Sequence, residues 1–249
     1  MYPIEKDNDL NFWPSFADTM LSFVLVFVII LGVVAIVNRE NAISLGIAYK
    51  NQENFVSQVA ERTGFSYPEH GFGRGGVVCL GHDDGGSQNG CILSADRDLH
   101  LLTLRFSNQV LFASDEYRLT PQGALIIEQV GSVLKTEACK LYRIQIEGHT
   151  DLLPTANYAY GNLELGAMRS IAVYSHLTQQ VGLDPVRNLM SVTSYGEYKP
   201  TSRMERGAFT LEELVGANAS LSERSINRRI EIQLFYRTQE SGCTEEVTN

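Results

Sequence analysis

The chain of 249 residues reads as an α+β protein, with one membrane-crossing helix followed by a domain whose helices cover one face of a mixed sheet. Three observations predict this. From Leu21 to Val37 every position is apolar except Ser22 and the glycine Gly32, and no charge follows Asp18 until Arg39. After residue 98, segments of strand type alternate with segments of helical period. Between these parts, residues 65–98 are rich in glycine and hold two of the four cysteines.

The apolar run comes first. A helix from Pro14 to Val37 is roughly 36 Å long and covers a hydrocarbon core of about 30 Å. The leader is acidic, with Glu5, Lys6, Asp7 and Asp9, and no A-x-A site follows the run, so a retained anchor is expected rather than a cleaved signal peptide. Asp18 lies about one turn inside, and Ser22 at i+4 is expected to bond its carboxyl. Two readings of Asp18 are open. Beside Trp13 it can rest among headgroups at little cost. As an intramembrane acid it needs a partner or a hydrated path, which marks a functional site.

The predicted segments are a tail at 1–12, the membrane helix at 13–38, a helical linker at 39–64, the glycine-rich region at 65–98, a domain at 99–237 and a tail at 238–249. In the linker, Ile43, Ile47, Phe55 and Val59 keep a helical period and Gly64 suits a C-cap. A net charge of −9 gives no electrostatic case for nucleic acid. Cys79, Cys91, Cys139 and Cys243 all follow the anchor, and an even number suits an oxidising compartment; reduced, buried thiols are the alternative. Val77–Leu80 and Cys91–Leu93 flank a turn-rich loop ending in Asn89-Gly90, a hairpin pattern that sets Cys79 across from Cys91. Of the three possible pairings, that one leaves Cys139 with Cys243. No metal-ligand spacing, phosphate loop or nucleophile elbow occurs, so a non-enzyme without a cofactor is expected.

In the domain, Leu99–Phe106 reads as a strand and Val110-Leu111-Phe112 as its continuation after a turn. Thr120 as N-cap and Pro121 at the first helical position start a helix carrying Leu125, Ile126, Val130, Val133 and Leu134. Tyr142–Ile146 is a second strand, and a polar loop from Glu147 to Tyr160 leads into a second helix with Leu165, Met168, Ile171, Ala172 and Leu177. Met190–Tyr195, a long polar loop and Arg229–Tyr236 complete an α/β sandwich with helices on one sheet face.

These residues carry two resemblances. Trp13-Pro14-Ser15-Phe16-Ala17-Asp18-Thr19-Met20-Leu21 resembles the start of the transmembrane helix in MotB-type stator B subunits, and is most similar to the ZorB-type B subunits of Zorya antiphage motors. Residues 99–237 resemble the OmpA-like peptidoglycan-binding domain. The matching words are Phe112-Ala113-Ser114, Leu119-Thr120-Pro121-Gln122-Gly123, Ile146-Glu147-Gly148-His149-Thr150-Asp151, then Asn162, Leu165 and Arg169, and finally Asn227-Arg228-Arg229-Ile230-Glu231-Ile232.

The resemblance implies that Asp18 carries the transported ion, H+. It implies that Asp151 and Arg169 grip the diaminopimelate of a peptide stem, with Asn162 and Arg228 as secondary contacts. The partners implied are peptidoglycan, a second copy of the chain and a ring of MotA-like (ZorA-like) A subunits, in a bacterial inner membrane with the N-terminus cytoplasmic and the domain periplasmic. The chemistry agrees, because an ammonium and a carboxylate on one side chain call for an anionic acceptor beside a bidentate cation. Without the resemblance, an ordinary surface ion pair between Asp151 and Arg169 is the simpler reading. The chain departs from the family pattern at Gly166 and Ser170, where serine and alanine are usual, and in a longer loop after Asp151 carrying Leu152-Leu153-Pro154-Thr155. Phage defence is the expected role, with a flagellar stator as runner-up. The competing class is a membrane-to-wall tether, which has no use for Asp18.

Overall fold

The computed structural model of the protein describes residues 13–73, 76–82, 91–203 and 207–237. Both predicted tails lie outside these. The chain divides after Ser44 into two compact units.

Helix α1 spans Trp13–Thr63. In the first unit its apolar side chains, from Phe16 to Val37, are exposed on every side. A helix apolar all round suits lipid, and this is the one described helix long and apolar enough to cross a membrane. The Ser22 hydroxyl donates to the Asp18 main-chain carbonyl at 2.9 Å, not to its carboxyl as the sequence suggested. Serine back-bonding one turn down the helix is the local reason.

The second unit is built on a six-stranded sheet of order β1-β2-β3-β6-β4-β5. The strands are β1 (Val77–His82), β2 (Cys91–Asp98), β3 (Leu101–Ser107), β4 (Leu141–His149), β5 (Leu189–Gly196) and β6 (Arg229–Tyr236). All neighbours are antiparallel except β4 and β5. Strand alternation sorts the two faces. Leu93 pairs with Phe106, Phe106 with Ile230, Leu104 with Ile232 and Ile232 with Ile146, all buried on one face. Helices α3 (Pro121–Glu137) and α4 (Gly161–Gln179) join that core through Ile127, Val130, Leu134, Val173 and Leu177. So do Phe55, Val56, Val59 and Ala60 of α1. Residues 45–63, expected as a linker, are therefore a component of the domain. Their apolar stripe finds its partner in the domain's own core.

Thr120 caps α3 by accepting from the Gly123 N–H at 2.9 Å, with Pro121 in the first turn. Other details differ from expectation. Val110 and Leu111 belong to a single helical turn, α2 (Asn108–Leu111), and Phe112 alone makes a bridge, to Leu119. A Cβ on Gly123 would stand 2.5 Å from the Leu111 carbonyl oxygen, so only glycine lets α3 begin there. Leu99 is no strand residue: at φ 46° it turns β2 into β3. The loop after β5 holds two short helices, α5 (Leu211–Gly216) and α6 (Leu221–Asn227), each opened by a capping box, Thr210 with Glu213 and Ser220 with Glu223.

Cys79 and Cys91 are bonded across β1 and β2, their Cα atoms 5.8 Å apart. Cys139 is also disulfide-bonded. Cys243, its expected partner, lies outside the described residues.

Candidate functional site

Strand β4 ends at His149, and Thr150 and Asp151 follow it to the floor of a cleft of about 640 Å³. Two facing glycines allow α4 to lie against this strand end. A Cβ on Gly148 would fall 2.1 Å from the Gly166 carbonyl oxygen, and one on Gly166 would fall 2.4 Å from Ser194 Oγ. The family's serine at position 166 would have to displace the Ser194 hydroxyl. The Ser170 hydroxyl lies within 3.0 Å of the Gly166 carbonyl and 3.3 Å of that of Thr193, tying α4 to β5. Both departures thus serve one close helix–sheet contact.

The four residues singled out from the sequence, Asp151, Asn162, Arg169 and Arg228, all line this cleft. Their pairing differs from the surface ion pair considered above. Asp151 Oδ2 meets Arg228 Nη1 at 2.5 Å, and its Oδ1 accepts from the Leu153 N–H at 3.2 Å. Arg228 follows α6, whose placement no periodicity before it disclosed. Arg169 is 2% exposed and donates from Nε to the Glu116 carbonyl at 2.8 Å, with its guanidinium 5.4 Å from the Phe112 ring centre. Burial pulls its pKa down to about 10, against the opposing pull of Tyr158 and Asp115. The Asn162 amide donates to the carbonyls of Asp151 and Leu153, at 3.1 and 2.9 Å, so it shapes the loop.

Sequence reasoning missed Asp115. Its φ of 57° is left-handed, a conformation aspartate tolerates. Its carboxylate accepts from Thr155 Oγ1 at 2.6 Å and from Asn157 Nδ2, and its carbonyl accepts from the Tyr158 hydroxyl at 3.0 Å. Nothing in its neighbourhood in sequence signals contacts some forty residues away.

A second polar cluster occupies the opposite sheet face. Glu147, Glu231 and Arg105 form one cross-strand row. His149 Nε2 lies 3.4 Å from Glu147 and 3.8 Å from Glu231, and its ring stacks on Tyr195. Two glutamates facing each other repel. Arg105 at 3.0 Å and Arg229 at 2.7 Å offset Glu231, and Lys199 at 3.1 Å offsets Glu147. Burial pushes the Glu231 carboxyl up, but Arg229, His149 and Arg105 outweigh it and hold it at about 2. Burial lowers the His149 pKa from its ordinary value, against the upward pull of both glutamates. The ligand atoms of Glu147, His149 and Glu231 lie within 4.8 Å of one another, close enough for a metal ion. With three cations already on the two carboxylates, a divalent ion would add uncompensated charge, and the cluster is better described as a closed ion-pair network.

Residues 111–208, which contain Asp151, Asn162 and Arg169, match the OmpA family. No curated protein matches the chain. Among solved structures, a MotB-like protein from Desulfovibrio vulgaris is 28% identical, covering 59% of this chain and 82% of its own, with a TM-score of 0.47. The periplasmic domain of Helicobacter pylori MotB is 22% identical over 60% of this chain and 85% of its own, with a TM-score of 0.47. The cell wall anchor of the Pseudomonas aeruginosa type VI secretion system is 22% identical over 59% and 89%, with a TM-score of 0.44.

Proposed function

We propose that this chain, an OmpA-like domain behind a membrane-length apolar helix, is the B subunit of a proton-driven inner-membrane motor anchored to peptidoglycan. In this reading the domain is periplasmic, two copies sit within a ring of MotA-like A subunits, and the role is Zorya-type phage defence. The carrying observation is the presence, on one chain, of an acid in the apolar helix and a charged cleft lined mostly by residues of the OmpA-matching stretch. Asp151, exchanging its bond to Arg228 for one to the ligand, accepts from the ammonium of a diaminopimelate side chain while Arg169 donates to its carboxylate, with Asn162 and Arg228 as secondary contacts. In the membrane, Asp18 takes up a proton on one side and releases it on the other. The transported ion in this reading is a proton, which a single carboxyl carries by itself.

Asp18→Asn tests the reading, because it keeps the shape and removes the titratable group. The variant is expected to assemble at normal levels with its A subunit and to lose protection against phage, or motility if the motor is of flagellar type. Asp18→Glu should retain part of the activity, and Ser22→Ala should lower it only modestly. Full activity of Asp18→Asn at normal protein level would leave the tether as the surviving reading, since a neutral amide in lipid costs less than a charge.

A further inference from the structure

The lining of the cleft is chemically mixed. Asp151, Arg169 and Arg228 give it charge, and beside them Phe112, Leu153 and Pro154 give it apolar surface. Leu153 is 51% exposed, yet the loop that presents it is firmly held. Its N–H donates to Asp151 and its carbonyl accepts from Asn162. Two residues on, Thr155 and Asn157 both donate to the Asp115 carboxylate, and the Tyr158 hydroxyl donates to the Asp115 carbonyl. A leucine held toward water on a pre-ordered loop costs little further entropy when a ligand covers it. That is the setting of a binding surface.

Resting on the wall-binding reading of this cleft, we propose that the 152–158 loop forms an apolar subsite next to the charged one. It takes the small apolar residue that adjoins the zwitterionic side chain on a peptide, which in a wall stem is the D-alanine after diaminopimelate. Asp115 is the positioning residue of this subsite, acting through Thr155 and Asn157.

The test is calorimetric titration of the full chain in lipid nanodiscs with two synthetic peptides. One is the tripeptide L-alanyl-γ-D-glutamyl-meso-diaminopimelate, and the other is the same peptide extended by D-alanine. The wild type is expected to bind the tetrapeptide about three- to fivefold more tightly, the worth of one buried methyl. Leu153→Ser should abolish that preference, so that the variant binds the two peptides equally. Thr155→Val with Asn157→Ala should weaken tetrapeptide binding alone and speed hydrogen exchange at 152–158. Equal affinity of the wild type for both peptides overturns the subsite, as does a preference that survives Leu153→Ser. Binding of neither peptide by the wild type overturns the wall reading itself, and the subsite with it.

Discussion

Placing the family's serine at position 166 should weaken the domain, and the size of the effect follows from four distances. The new Cβ would stand 2.4 Å from Ser194 Oγ and 3.2 Å from the Gly148 carbonyl oxygen. Ser194 Oγ must then leave its place, where it donates to the Leu163 carbonyl at 2.8 Å and accepts from the Gly196 N–H at 3.3 Å. Losing two such bonds costs roughly 0.5–1.5 kcal/mol each. Replacing a helical glycine by serine returns about 0.5 kcal/mol. The net loss is about 1–2 kcal/mol, or a Tm lower by roughly 2–8 °C for a unit of this size. Thermal unfolding followed by circular dichroism reads it directly. Gly46→Ser is the control, since it makes the same change in α1 where nothing lies within 4 Å, and it should be neutral or slightly stabilising. An unchanged or higher Tm for Gly166→Ser would show that α4 shifts freely, and that close glycine contact does not fix the helix beside Asp151.

Two further outcomes are expected. Glu231 has its carboxyl held at about 2, below the unfolded value, so its contribution of roughly 3 kcal/mol is present above about pH 4.5 and is lost as pH falls toward 2; Glu231→Gln should lower stability at pH 7 and flatten the acid limb of a Tm-against-pH curve, and an unaltered acid limb would discount the network. Asp151→Ala and Arg169→Ala should each weaken sedimentation with purified peptidoglycan by about 1–3 kcal/mol while the domain stays folded, and co-sedimentation equal to wild type for both would remove the cleft from wall binding.

Much of the architecture was legible because periodicity and caps act locally. The Arg229–Tyr236 strand and the helix opening at Thr120-Pro121 were read as they stand. Two short helices were overlooked although both announced themselves by a Thr or Ser three residues before a Glu. Without a long apolar stripe behind it, such a box carries little weight as a sign of a helix. Val110-Leu111 looked like strand by composition, but its backbone is set by a long-range bond from the Asn108 N–H to the Arg228 carbonyl, at 3.0 Å. The membership of the cleft was readable from motifs. The partner of each charge was not, because Asp115, Asp151, Arg169 and Arg228 come together only through the tertiary fold.

The burial of α1 residues in the sheet's core decides where this protein can be severed. Phe55, Val56 and Val59 are 0% exposed, and Leu93 and Ala95 of β2 are equally covered. A fragment beginning at Leu99 would lose both sets, baring the apolar face of β3 and turning a central strand into an unpaired edge. One beginning at Phe65 would keep the sheet whole but leave a strip of its hydrophobic face open to water. The smallest piece that retains its own interior starts near Leu45, close to where the bilayer-length segment ends, so little chain lies between that apolar run and the domain that folds around its own core.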